Sequence, residues 1–201
     1  MPQMAWAAHA LAPVEPVRLL GVRDLSDIER RVLTRLLSVD FPGVEALRTQ
    51  VEEIHGVELN CTCGCPSITP IVDRDAAPPA HGRSQLPVEL AEMSRRDGVE
   101  RSVLCFVDAG GYLGNLECVY YDDPKAEWPD PADCAVLLED EQGYTQAVQL
   151  PGGALVRPQD PNDRWTSFGP VDGGRFCATT FTGYRECFAP DGTLASRTSA
   201  K

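Results

Sequence analysis

The stretch Val99-Glu-Arg-Ser-Val-Leu-Cys-Phe-Val-Asp108, Ala109-Gly-Gly111, Tyr112-Leu-Gly-Asn-Leu-Glu-Cys-Val-Tyr-Tyr121 decides the fold. Val103 to Val107 is a run of β-branched, aromatic and apolar residues, the composition of a buried strand. Ala109-Gly110-Gly111 supplies the positive-φ residues that a tight turn needs. The chain then returns through Leu113, Leu116, Cys118, Val119 and Tyr120. The stretch therefore predicts an antiparallel hairpin, with Cys105 and Cys118 as core residues.

Upstream the apolar period is helical. Ser26-Asp-Ile-Glu29 has capping-box spacing. Ile28, Val32, Leu36 and Val39 follow on one face, with Leu33 and Leu37 beside them, so a helix is expected over 27–38. Arg30, Arg31 and Arg35 fall on the other side and read as an exposed face. Asp40-Phe-Pro-Gly43 breaks the chain, with Asp40 as a cap. Val44, Leu47, Val51 and Ile54 predict a second helix over 43–54, closed by His55-Gly56.

After Gly56 the period becomes 2. Val57, Leu59 and Cys61 alternate with polar residues, and Ser67–Asp73 reads as a returning strand that Pro70 confines to an edge or bulge. Leu86–Met93 reads as a strand, with a helix as the rival reading. Arg95-Arg96 reads as a turn or a weak anion contact. Residues 122–133 carry Pro124, Pro129 and Pro131 and read as a linker. The window 122–141 holds eight acids against Lys125 alone, the pattern of a solvated connector. Beyond it, Thr145–Leu150, Ala154–Arg157, Arg175–Thr182 and Tyr184–Phe188 are strand-like pieces between Pro/Gly/Asp turns. Trp128 and Trp165 read as packing lids or as anchors for a partner.

The 201 residues carry a net charge of −12, which argues against nucleic acid and anionic membranes as partners. No apolar run approaches the roughly 18 residues of a membrane span. The first basic residue is Arg18, and Pro13 interrupts a short Ala-rich start, so no export leader is expected and the reading is cytoplasmic. Phosphate-loop, Gly-x-Ser-x-Gly and His-Glu-x-x-His patterns are absent, and three histidines leave few acid–base candidates.

Eight cysteines point elsewhere. In a reducing compartment clustered thiols bind metal or pack as small apolar groups. Asn60-Cys-Thr-Cys-Gly-Cys-Pro-Ser67 sets Cys61, Cys63 and Cys65 within five residues. On an extended chain the outer pair stands about 13 Å apart, too far for one ion. A tight turn at Gly64 and Pro66 brings the sulfurs toward a metal–sulfur distance of about 2.3 Å. Zinc is the expected ion, with a fourth ligand from His55, His81, Cys105, Cys118 or Cys187. A thiol redox role for the same cysteines stays open, although no helix follows Cys65 to activate a thiolate.

Leu37-Ser-Val-Asp-Phe-Pro-Gly-Val-Glu-Ala-Leu-Arg48 and Cys63-Gly-Cys-Pro-Ser67, with the hairpin and Trp128-Pro-Asp-Pro131, resemble small hypothetical proteins of high-GC Gram-positive bacteria. The resemblance covers about residues 25–133 and implies organisation without an activity, ligand or catalytic residue.

The expected fold is α+β: two N-terminal helices on one face of a mostly antiparallel sheet of four to six strands, with a β-rich extension. The expected divisions are an arm over 1–24, a core over 25–133 and an extension over 134–201. The leading functional expectation is a non-enzymatic regulatory or immunity-type module that binds an unknown protein partner. Zinc binding through Cys61, Cys63 and Cys65 is the alternative.

Overall fold

The computed structural model describes residues 21–59, 61–93, 101–120, 127–169 and 175–200. The central hairpin forms as expected, from β4 (Arg101–Val107) and β5 (Leu113–Tyr120). Gly111 turns it at φ 82, and a Cβ there would lie 2.1 Å from the Ala80 carbonyl oxygen. The turn thus needs glycine for both conformation and space. Cys105 and Cys118 are buried, as the alternation required.

Helix α1 (Asp27–Leu36) starts at its capping box, where the Ser26 amide donates to Glu29 Oε2 at 2.9 Å. Val32, Leu33 and Leu36 form its buried stripe. Helix α2 (Val44–Glu52) departs from expectation at both ends. Gly43, at φ 89, takes the N-cap position, while Asp40 accepts from Arg48 at 3.1 Å. At the other end Ile54 already pairs with Val72, so His55 and Gly56 belong to β1 (Ile54–Leu59) and do not close the helix. Gln50 is fully buried and ties α2 to the hairpin turn. It donates to the carbonyls of Pro78 and Gly111 and accepts from the Leu113 amide, at 2.8, 3.0 and 2.9 Å.

The sheet is larger than expected, with twelve strands among the described residues. To β1, β4 and β5 it adds β2 (Ile68–Val72), β3 (Gln85–Glu92), β6 (Cys134–Glu139), β7 (Thr145–Gln149) and β8 (Leu155–Val156). The C-terminal strands are β9 (Trp165–Gly169), β10 (Phe176–Thr180), β11 (Tyr184–Phe188) and β12 (Leu194–Ser199). Every recorded strand pair is antiparallel, in the order β1-β2-β5-β4-β3-β6-β7-β9-β10-β11-β12, with β8 beside β7. β3 is a strand, as first read. Strand β2 has neighbours on both sides, so of the edge or bulge expected at Pro70 it is not an edge strand, while its ladder with β1 does carry a bulge, at Ile54/Gly56. Its ladder with β5 is the single pair Ile68–Leu116, so Pro70 sits beyond it, opposite Val57 of β1. The β-rich tail joins the main sheet, with Thr145–Trp165 as the registered pair between β7 and β9.

The largest correction falls on the acidic window. Its last third is the interior strand β6, with Cys134 to Leu138 all buried. Flanking acids set the window's charge while the residues between them are apolar. Side chains alternate across a strand, and β6 divides accordingly. Cys134, Val136 and Leu138 join the core under the helices, while Ala135 and Leu137 join a second core with Trp165, Phe176 and Phe188. Trp165 is therefore a core residue, not a partner anchor. The arm before residue 21, the Arg95-Arg96 pair and residues 121–126 of the connector lie outside the described residues.

Arg35 also departs from the exposed-face reading. Its guanidinium reaches across the sheet to the carbonyls of Cys134 at 3.0 Å and Leu150 at 2.8 Å, and to Gln149. It joins α1 to strands about a hundred positions away in sequence. Hydrogen bonds from a charged donor contribute more than neutral ones. Arg35→Ala is expected to cost about 2 kcal/mol, read as a lowered urea midpoint at unchanged slope, with α1 still helical by circular dichroism.

Candidate metal centre

The turn between β1 and β2 carries the cysteines. Strand pairing ends at Leu59 and resumes at Ile68, so residues 61–67 loop out of the ladder. Gly64 reverses the chain at φ 91, a conformation that a side chain disfavours. Of the two geometries weighed from sequence, the turn forms. The Sγ atoms of Cys61, Cys63 and Cys65 all lie within 4.8 Å of one another. Four thiolates around zinc at about 2.3 Å stand roughly 3.8 Å apart, so a small contraction would bring these three onto one ion.

The sulfurs are hydrogen-bonded to one another and to the surrounding turn. The Cys63 amide donates to Cys61 Sγ at 3.3 Å, and the Cys65 amide to Cys63 Sγ at 3.4 Å. Cys65 Sγ donates to Ser67 Oγ at 3.3 Å, and that oxygen is held from behind by the Cys118 amide at 3.0 Å. The thiols therefore share their protons unequally. Hydrogen bonds from the Cys61 thiol and the Cys65 amide bring Cys63 down to about 7, while its bond to Cys63 pushes Cys61 up to about 11. Cys63 is also the exposed member. Burial pushes Cys105 and Cys134 up to about 12 and Cys118 to about 11.

Beside the turn runs a groove walled by Arg23, Glu29 and Trp128. The Glu29 carboxylate is 2% exposed and saturated with donors. Arg23 grips it with two bonds of 2.6 and 2.8 Å, Ser26 donates from amide and hydroxyl, and Trp128 Nε1 approaches at 3.4 Å. Arg23 also exchanges backbone hydrogen bonds with Val57 of β1, at 3.0 and 2.7 Å. Trp128 thus packs beside the helix-covered core as a wall of the groove.

The other proposed ligands lie elsewhere. His55 is exposed near the start of β1, at the end away from the turn. His81 is exposed in the loop before β3, with its carbonyl against Gly43. Neither is grouped with the three sulfurs. Cys105 and Cys118 are buried. Cys187 is bonded to Cys177 in a disulfide across β10 and β11, so it offers no thiolate. The sequence reading missed this pair. The signal was present: both cysteines stand five residues from Thr182, at the tip of their hairpin.

No family model, curated protein or solved structure matches this chain. Among the described residues, no helix is long and apolar enough to cross a membrane.

Alkylating reagents attack the thiolate. In metal-free protein, labelling of Cys63 by iodoacetamide is expected to climb as pH rises through about 7 and then level off, with Cys61 lagging well behind. Cys105, Cys118 and Cys134 should label only after unfolding. Peptide mapping after timed exposure checks the order, and equal labelling of Cys61 and Cys63 at neutral pH contradicts it.

Proposed function

We propose that this protein binds a thiophilic metal ion through Cys61, Cys63 and Cys65. The observation that carries the reading is the convergence of three sulfurs within 4.8 Å on a glycine-reversed surface turn. Thiolates are soft donors and suit zinc, cuprous copper or an iron–sulfur centre far better than calcium or magnesium. The net charge of −12 favours approach of a cation. The hydrogen bonds to the sulfurs orient the ligands and offset part of the thiolate charge, the role outer partners play around bound metals.

A protein-interaction role has separate support on other strands of the sheet. Tyr144 and Phe181 meet edge to face at 6.4 Å on neighbouring turns, and Phe181 is 72% exposed. Exposed aromatics of this kind serve as anchors in interfaces. The pair suits a partner-binding regulator and shares no residue with the cysteine turn.

Metal binding is tested by native mass spectrometry of freshly purified, reduced protein against its denatured mass. The expected result is one bound ion in the unmodified chain and none in Cys61→Ser, Cys63→Ser or Cys65→Ser. A native mass equal to the bare chain after incubation with excess metal would leave the turn a purely structural element.

A further inference from the structure

Building on the metal-site reading, we propose that the ion is held by three sulfurs alone, the coordination of a soft monovalent ion such as cuprous copper. Zinc in a closed site takes four ligands. Among the described residues, the ligating groups gathered at the turn are Cys61, Cys63 and Cys65 and no other. The nearby carboxylate is spoken for. Glu29 Oε1 accepts from Arg23 and Trp128, and Oε2 accepts from Arg23 and twice from Ser26. Drawing Glu29 onto a metal would break its pairing with Arg23 and the start of α1. Cys118 stands behind Ser67 and is buried, and Cys187 is closed in its disulfide.

What the turn lacks for zinc it does not lack for copper. Three thiolates at about 2.3 Å in a plane stand roughly 4.0 Å apart, and the triad's sulfurs already lie within 4.8 Å of one another. Thiolate sulfur suits cuprous copper as well as zinc, so the number of ligands decides between them. Each of the three sulfurs also keeps one partner outside the ring: the Cys63 amide, the Cys65 amide and the Ser67 hydroxyl. Once Cys65 is deprotonated, the Ser67 hydroxyl is free to turn and donate to it. A complete set of outer partners, one per sulfur, is the arrangement that fixes ligands in place. Binding forms metal–sulfur bonds and releases the thiol protons to solvent. Copper is supplied as copper(I), so no electron is transferred. Exposure of Cys63 leaves the ion open to exchange with an external thiol.

The test uses the full chain, reduced and metal-free under nitrogen. It is titrated with copper(I) buffered by bicinchoninate and, separately, with zinc(II), and the loaded forms are examined by X-ray absorption. The expected copper form has three sulfur neighbours and no nitrogen or oxygen, while zinc is lost on dialysis against a chelator. Cys63→Ser is expected to lose the stoichiometric copper while its metal-free circular dichroism matches the parent. A copper form with two sulfurs overturns the three-sulfur assignment and leaves the metal site standing. So does a zinc ion that survives dialysis with a protein nitrogen or oxygen as its fourth ligand. Failure of folded protein to bind either ion overturns both proposals.

Discussion

Strand β6 is the constraint on which the rest of the architecture depends. It is hydrogen-bonded on both sides, to β3 and β7, and buried on both faces. Its odd and even side chains enter different cores, one beneath the helices and one among the aromatics of the C-terminal strands. A shift of one residue along this strand would exchange the two sets of side chains between the cores. Arg35 fixes the register from outside, because its donors meet the Cys134 carbonyl at one end of β6 and the Leu150 carbonyl just past β7.

The parts of the fold legible in sequence were those with a local signature. Ser26 and Glu29 marked a helix start because a capping box acts within four residues, and the Gly110-Gly111 turn marked the hairpin because the demand for positive φ is local. Strand β6 was hidden for the converse reason. Acids on both sides dominated the charge of its window, and a strand buried on both faces shows no alternation of polar and apolar residues. The end of α2 was misplaced because Ile54 satisfies the helical period as well as the strand, and pairing with Val72 decides between them. Arg35 looked like any exposed helix cation, and its carbonyl partners lie about a hundred residues downstream.

The candidate site divides along the same line. Three thiols in five residues could be read directly, since the chain itself holds them close. Their convergence hinged on the sign of φ at Gly64, which residue identity permits without requiring. The groove was not legible at all. Arg23, Glu29 and Trp128 come from separate parts of the chain, and Trp128 reaches the carboxylate across 99 positions. The arginine–carboxylate pair organises the start of α1 and also occupies the carboxylate that lines the groove beside the sulfurs. In the proposed site, an ion pair of this kind would act by what it withholds.

The far border of the sheet has a different consequence. Strand β12 is exposed along its whole length, and among the described residues one of its sides has no neighbour in the strand order. Natural edges are often guarded by lysine, proline or an inward charge, and here the one interruption is a bulge at Ala195, between the Phe188–Leu194 and Cys187–Ser196 pairs. Leu194-Ala-Ser-Arg-Thr-Ser199 has no lysine, proline or acid, and its single arginine is turned back onto buried Glu186 and the ring of Tyr184. The border is thus a row of backbone donors and acceptors without an electrostatic fence. Copies of the chain are therefore kept from pairing along this border by the long-range repulsion of the −12 net charge, and salt that screens it exposes the edge to its own kind.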